Sequence, residues 1–412
     1  MHVAVIGGGV IGTTSAYALL EAGCRVTLID RERPRDGVAT DVNAGLIAPG
    51  HALAWATPKM LRKLPAVLTN RTPQVRVRAH LDPALIRWGA TFVRNCTTAH
   101  ARRSTLIRGE LGRRSCRLLH QRIAEEGIDC GLTEGLLFVH TDASSLAAQL
   151  ASMKALRTDG HELELIDRRR CLELEPALAD SEIGVVGAIH HPAGASADSA
   201  AFTSALRARA SSRGLSTVRA DVTELQWRSD RVVAATTSLG EDVTADSFVV
   251  ASGSHSPSLL GRHGQRLRMY PVRGYGLTWS GLPDDVGPCR GGIDENALIA
   301  WSRQGIQLRV TGIAEFNRFR HDLNPGDTDG VRRAALRLFP AIADLGEPVV
   351  GSGFRPMTAD GLPRIGRFAA SNLYVNTGHG NLGWTMSAAS AEILADAVLD
   401  RREDPLSRAL QP

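Results

Sequence analysis

His2-Val3-Ala4-Val5-Ile6, nearly all apolar and largely β-branched, runs straight into Gly7-Gly8-Gly9-Val10-Ile11-Gly12. Such an apolar run suits a strand buried on both faces of a parallel sheet. Residues 13–20 carry no charge and read as helix, closed by Ala22-Gly23. Arg25-Val26-Thr27-Leu28-Ile29 then reads as a second strand ending on Asp30. Gly7 permits the tight turn, Gly9 lets backbone approach a pyrophosphate, and Gly12 lets the helix lie close on the strand. The helix start offers free N–H groups and a positive dipole end. Asp30, 18 residues after Gly12, is placed to accept hydrogen bonds from a ribose diol, and it disfavours a 2′-phosphate, so NADP is not expected. The stretch therefore sets an α/β fold with a dinucleotide-binding βαβ start. Val5, Gly7, Gly9, Val10, Ile11, Gly12, Asp30 and Arg31 are the candidate cofactor-binding residues of this stretch. NAD and FAD are not separated at this point.

Beyond it, residues 31–50 shift to turn formers and small residues, among them Pro34, Asp36-Gly37 and Asn43-Ala44-Gly45-Leu46. Their glycines suggest backbone held against something flat, with an ordinary surface loop as the alternative. Residues 81–127 read as helical. From 101 to 126 they carry seven arginines, with Ile107, Leu111 and Leu118 at helical spacing. A solvated helix over a core is the expected form, and a basic surface touching anionic lipid is the other. Short strands at 135–140, 162–167 and 185–191, with helical cover, predict a mainly antiparallel α+β substrate domain. Further strands end at Ser252-Gly253, and the tail at 372–384 is strand and glycine loop feeding a helix over 387–399. The expected division is 1–54, 195–262 and 346–412 for a discontinuous Rossmann-like domain, with 55–194 and 263–345 for the substrate domain.

At 412 residues, with 43% hydrophobic and 22% charged residues, the chain reads as a soluble globular protein of two domains. No apolar run reaches membrane-spanning length, and the N-terminus begins a strand instead of a signal segment. Six scattered cysteines without a CxxC pair indicate neither zinc nor a disulfide framework, so a cytoplasmic protein with reduced thiols is expected. His190-His191 has no metal-like partner spacing, and no metal is expected. The net charge of +5 comes with only three lysines among 48 basic residues and 5% aromatics. No stacking platform accompanies the arginines, so nucleic acid is not expected as a partner.

Three strands thus end in glycine turns, at Gly7, at Ser252-Gly253 and at Gly378. A parallel sheet lines such turns along one edge, where ligands bind. The last turn feeds a helix whose start can face a developing anion at the far end of an elongated cofactor. A reduced flavin carries that charge on its pyrimidine ring, which favours FAD over NAD.

GGGVIG with Asp30-Arg31, the Asn43-Ala44-Gly45 loop, Glu173-Leu174-Glu175-Pro176-Ala177-Leu178, the stretch Gly353-Phe354-Arg355-Pro356-Met357-Thr358-Ala359-Asp360-Gly361 and NTGHGNLGWTMS from Asn376 resemble the D-amino acid oxidase superfamily of FAD enzymes. Within it they are similar above all to catalytic subunits of bacterial D-amino acid dehydrogenases. The resemblance covers essentially the whole chain. It implies FAD, and Arg355 as a bidentate anchor for the substrate carboxylate, a task suited to a planar, always-charged guanidinium. A structural arginine held by a carboxylate is the alternative. It matches Tyr275 to an active-site aromatic position after a P-x-x-G turn, where a core tyrosine is equally compatible. Asn43 to Leu46 would pass the flavin, Val222 the adenine side, and Gly380, Asn381, Leu382, Gly383 and Trp384 the pyrimidine edge. His51 departs from the family pattern, which has tyrosine after that A/S-P-G turn, so side-chain preference is left open. His379 reads as a positioning and electrostatic residue instead of a general base.

The implied reaction is hydride transfer from the α-carbon of a D-amino acid to flavin. The imine then hydrolyses to a 2-oxo acid and ammonia, and electrons pass to a quinone or other carrier. Two alternatives stand beside it. One is a cyclic or N-substituted substrate such as a hydroxyproline isomer, glycine or sarcosine; the other is a flavin-bearing subunit without turnover. Oligomeric state has no signal in the sequence, and peripheral membrane contact stays open.

Overall fold

The computed structural model describes residues 1–31, 37–78, 81–324, 326–401 and 404–412. Pro34 and Asp36 of the turn-rich stretch lie outside them. Two sheets organise the chain. The first has six strands in the order Arg364–Arg367, Leu373–Thr377, Ser247–Val250, His2–Ile6, Arg25–Asp30, Ser216–Arg219, all parallel except the first. The strands feeding Gly7, Ser252-Gly253 and Gly378 are therefore adjacent, and their turns line one edge.

Strand alternation sorts the core. Val3 and Val5 face a helical layer made by Val10–Glu21, Ser199–Ser212 and Gly383–Val398. Ala4 and Ile6 face the other side, where Leu225, Val232 and Ala235 of a three-stranded sheet cover them. Gly12 shows why the fingerprint needs glycine: a Cβ there would overlap the Gly7 carbonyl oxygen.

The second sheet has ten strands and is mainly antiparallel. Its long ladder pairs Met269–Ser280 with Val349–Thr358 on one side and with Gln307–Phe316 on the other. Two of its strands, Leu46–Ile47 and Val349–Thr358, come from ranges that the sequence division counts with the Rossmann-like part. Hydrogen bonding along a full neighbouring strand outweighs proximity in sequence here.

The helical stretch at 81–127 is two helices, Pro83–Asn95 and Thr98–Glu125. The Thr97 hydroxyl caps the second by accepting from the His100 N–H at 3.2 Å, which fixes the break. That second helix packs Leu111, Leu119 and Ile123 against Gly383–Val398. Its arginines are mostly spoken for: Arg113 pairs with Glu110, Arg114 with Glu392 and Asp404, Arg122 with Glu21, and Arg108 is buried. The C-terminal helix begins at Gly383, four residues before the expected start, so Trp384 lies in its first turn. Among the described residues no helix is long and apolar enough to cross a membrane.

Candidate active site

A cavity of about 1170 Å³ runs between the two sheets. One end is the glycine turn. Gly7, Gly9, Val10 and Ile11 line it, and the helix behind them has no acidic residue in its first turn to compete with a phosphate. The Val10 N–H donates to Thr40 Oγ1 at 3.1 Å, a contact that the sequence does not announce. Asp30 and Arg31 border the same end, with Val222, Ser252 and Gly253 across from them. Arg207, from Ser199–Ser212, donates to the Gly8 carbonyl and pairs with Asp30 at 3.2 Å. It lies 177 residues from Asp30, which is why no local pattern points to it. Val5 does not reach the cavity, because alternation turns it into the helical core while Ile6 lines the wall. Gly12, Gly45 and Gly378 are likewise absent from the wall and shape the backbone instead.

Toward the middle, Asn43, Ala44 and Leu46 meet Gly380, Asn381, Leu382, Gly383 and Trp384. Asn43 Oδ1 accepts from the Gly45 N–H at 2.7 Å and so folds its own loop. Trp384 Nε1 donates to the Gly45 carbonyl at 3.2 Å, and the Ala48 N–H donates to Thr385 Oγ1 at 3.0 Å. These bonds tie the C-terminal helix start to the loop. Arg108 stands behind both, donating to Asn381 Oδ1 at 3.1 Å and to the Leu53 carbonyl at 2.8 Å. Burial lowers its guanidinium to about 10, and it stays charged at neutral pH.

At the far end Arg355 lines the cavity from Val349–Thr358. Its Nη1 donates to the Ile313 carbonyl at 2.8 Å, burial lowers it to about 10, and no carboxylate pairs with it among the described residues. Gly274 lies under the guanidinium, where any Cβ would collide with it. The P-x-x-G segment is thus not a turn but the middle of a strand, and its glycine makes room for Arg355.

Tyr275 also lines the cavity, from the strand that pairs with the arginine's own. It pairs with Ser352 and Arg355 with Val272, so the two side chains leave opposite faces of the ladder. Its ring packs in the core with Trp279 and Trp301, 4.9 Å from the Arg273 guanidinium, and burial and Glu315 raise its phenol to about 12. His51 lines the cavity as well. Its Nε2 is 2.9 Å from Glu295 Oε1, which also accepts from Gln149 Nε2 at 2.6 Å. Burial raises the Glu295 carboxyl, but His51 and Gln149 outweigh it and hold the group below the usual range. Glu295 sits in an unremarkable Asp-Glu-Asn run, without signal in sequence. His379 borders the cavity with its ring buried against Ser390 Oγ at 2.9 Å, and burial lowers it to about 3. His190 pairs with Glu164 and His191 is buried, and no group that could hold a metal occurs among the described residues.

A phosphate-binding turn and a half-buried guanidinium without a carboxylate partner among the described residues line one long cavity, the arrangement of a dinucleotide-dependent enzyme. The chain belongs to the DAO family, described as FAD dependent oxidoreductase, which it matches over residues 2–397. It is an oxidoreductase with FAD as its cofactor, and the glycine cradle and Asp30 suit the adenosine diphosphate half of that group. D-amino acid dehydrogenase 2 of Mesorhizobium japonicum is 35% identical over 407 residues, 98% of each chain. D-amino acid dehydrogenase of Dechloromonas aromatica is 34% identical over 411 residues, again 98% of each. Among solved structures, glycine oxidase from Bacillus cereus shares the fold with a TM-score of 0.76 at 21% identity, over 100% of this chain and 98% of that one.

Proposed function

We propose that the chain oxidises D-amino acids at the α-carbon, giving 2-oxo acids and ammonia, with electrons passed to a quinone or other carrier and not chiefly to oxygen. One observation carries the reading: Arg355, charged, half-buried and without a carboxylate partner among the described residues, lines a cavity that also holds the glycine turn. Relatives named D-amino acid dehydrogenase, 34–35% identical over nearly the full length, support it. In this reading Arg355 grips the substrate carboxylate, and the Ile313 carbonyl fixes the guanidinium plane. The apolar wall from Trp55, Leu64 and Phe92 excludes water. His51 with Glu295 borders the substrate side chain and sets its preference. His379, neutral and tied to Ser390, positions the C-terminal loop and moves no proton. FAD, held by the glycine turn and the 380–384 loop, supplies the two-electron acceptor for the α-hydrogen. Rate then comes from orientation and electrostatics, without an obligatory side-chain acid or base.

Anaerobic mixing with a panel of D- and L-amino acids tests this, with flavin absorbance as readout. Bleaching by D-amino acids alone is expected, with slow return in air and fast return with a quinone analogue. Bleaching only by hydroxyproline isomers, glycine or sarcosine would move the substrate to cyclic or N-substituted amino acids. No bleaching by any compound would leave a flavin-bearing subunit without turnover.

A further inference from the structure

Glu295 opens the turn that leads into Ile299–Gln304, and its side chain is only 10% exposed. Ile293, Leu298, Ile299 and Ala300 line the cavity around it. The other acids on the cavity wall, Asp30 and Asp221, stand at the glycine-turn end beside Val222.

Three elements hold the carboxylate in place. The Glu295 N–H donates to the Val139 carbonyl at 3.1 Å, His51 reaches the side chain from the 49–51 turn, and Gln149 from the helix Ala143–Ser152. Both side-chain bonds go to Oε1. Oε2 accepts from no donor among the described residues and keeps accessible surface. Among those residues no arginine or lysine pairs with it. A carboxylate taken out of water and bonded to an amide and an imidazole is costly unless a cation joins it. His51 and Gln149 nevertheless hold it below the usual carboxylate range, so it is ionised at neutral pH.

The same strands lead to Arg355. The Ile313 carbonyl that fixes its guanidinium lies on Gln307–Phe316, which pairs with Ile299–Gln304. Next to Ile313, a Cβ on Gly312 would stand 3.7 Å from the carbonyl oxygen of Leu298, in the turn that Glu295 opens. The cavity thus carries a fixed cation and, past one turn, a fixed anion.

We propose that Glu295 Oε2 receives a cationic group on the substrate side chain, so that the preferred D-amino acids end in an ammonium or guanidinium. The assignment rests on D-amino acids being the substrates. Arg355 takes the carboxylate, Glu295 the far end, and the apolar residues between them the methylene chain. His51 and Gln149 stay on Oε1 and keep the second oxygen free for the ligand.

Ligands without an α-amine test it, because they cannot be oxidised and no α-ammonium can stand in for the side chain. Calorimetric titration of the FAD-loaded protein compares 4-aminobutyrate, 5-aminopentanoate and 6-aminohexanoate with butyrate, pentanoate and hexanoate. At least one of the amino compounds should bind about 10- to 100-fold more tightly than its unsubstituted partner. Glu295→Gln, which keeps the shape and loses the charge, should bring that ratio close to one. Glu295→Asp should keep a preference but move it to a chain one methylene longer, a change that mere loss of packing does not produce. FAD absorbance checks that each variant is folded. Equal affinity of the two series for the wild-type protein overturns the proposal whatever the variants do, and so does a preference that Glu295→Gln leaves intact. Equal second-order rates of anaerobic bleaching by D-norleucine and D-lysine overturn it while leaving the D-amino acid chemistry standing. Bleaching by neither, nor by any other D-amino acid, overturns that chemistry and the assignment with it.

Discussion

Arg355 stands in a motif that the sequence made recognisable, but what holds it could not be read there. The motif names the guanidinium; the Ile313 carbonyl and the bare Cα of Gly274 come from neighbouring strands. Arg355→Met should lower kcat/KM for D-amino acids by a hundredfold or more, since a charge-assisted bidentate contact contributes about 3 kcal/mol. FAD content should be unchanged, and a loss under tenfold would remove Arg355 from the substrate. Gly274→Ala separates position from presence. The new methyl meets only the far end of a flexible side chain, so the protein should fold while the guanidinium moves. A shift of that kind costs about 10- to 100-fold in kcat/KM. Wild-type kinetics in this variant would show that the arginine's placement is not critical. His51→Tyr takes the imidazole from Glu295 and leaves Gln149 as the carboxylate's remaining bond. The ranking of D-amino acids by kcat/KM should change, at least for polar side chains, and an unaltered ranking would place the substrate side chain elsewhere.

Elements were legible where one local rule governed them. His2–Ile6, Val10–Glu21 and Arg25–Asp30 follow from apolar runs and glycines that act within a dozen residues. Rules that act at a distance left no trace. Val349–Thr358 joins the ten-stranded sheet because Met269–Ser280 offers it a full ladder. Helix Gly383–Val398 starts early because the Trp384 indole finds the Gly45 carbonyl, 339 residues away in sequence. That bond joins the two loops expected to flank the flavin, so Trp384→Phe tests the joint. Removing one buried hydrogen bond and leaving the Gly45 carbonyl unpaired costs about 1–3 kcal/mol. FAD dissociation should accordingly quicken by about tenfold or more, followed by the rise in free-flavin fluorescence on dilution. Unchanged FAD release would mean that packing against Phe202 alone sets the loop.

Over the whole molecule, burial of neutral histidines makes folding depend on pH. His379 is lowered to about 3 by burial alone, and His191 to about 3 by burial and then by His161, His190 and His51. In the unfolded chain both return to the ordinary value near 6.5. Between about pH 6.5 and pH 3 the unfolded state therefore binds two protons that the folded state refuses, and stability falls as pH falls. Each group contributes about 1.4 kcal/mol per pH unit, so the pair removes about 4 kcal/mol between pH 7 and pH 5. His140, His161 and His255 are lowered too and add in the same sense. Glu175 and Asp294, raised by burial, work the other way once pH approaches the carboxylate range. Urea unfolding in saturating FAD at pH 7 and pH 5 should show the loss. His379→Asn with His191→Gln, less stable at pH 7, should lose much less on acidification, because neither replacement takes a proton. An equal loss in variant and wild type would mean that the acid sensitivity comes from other groups.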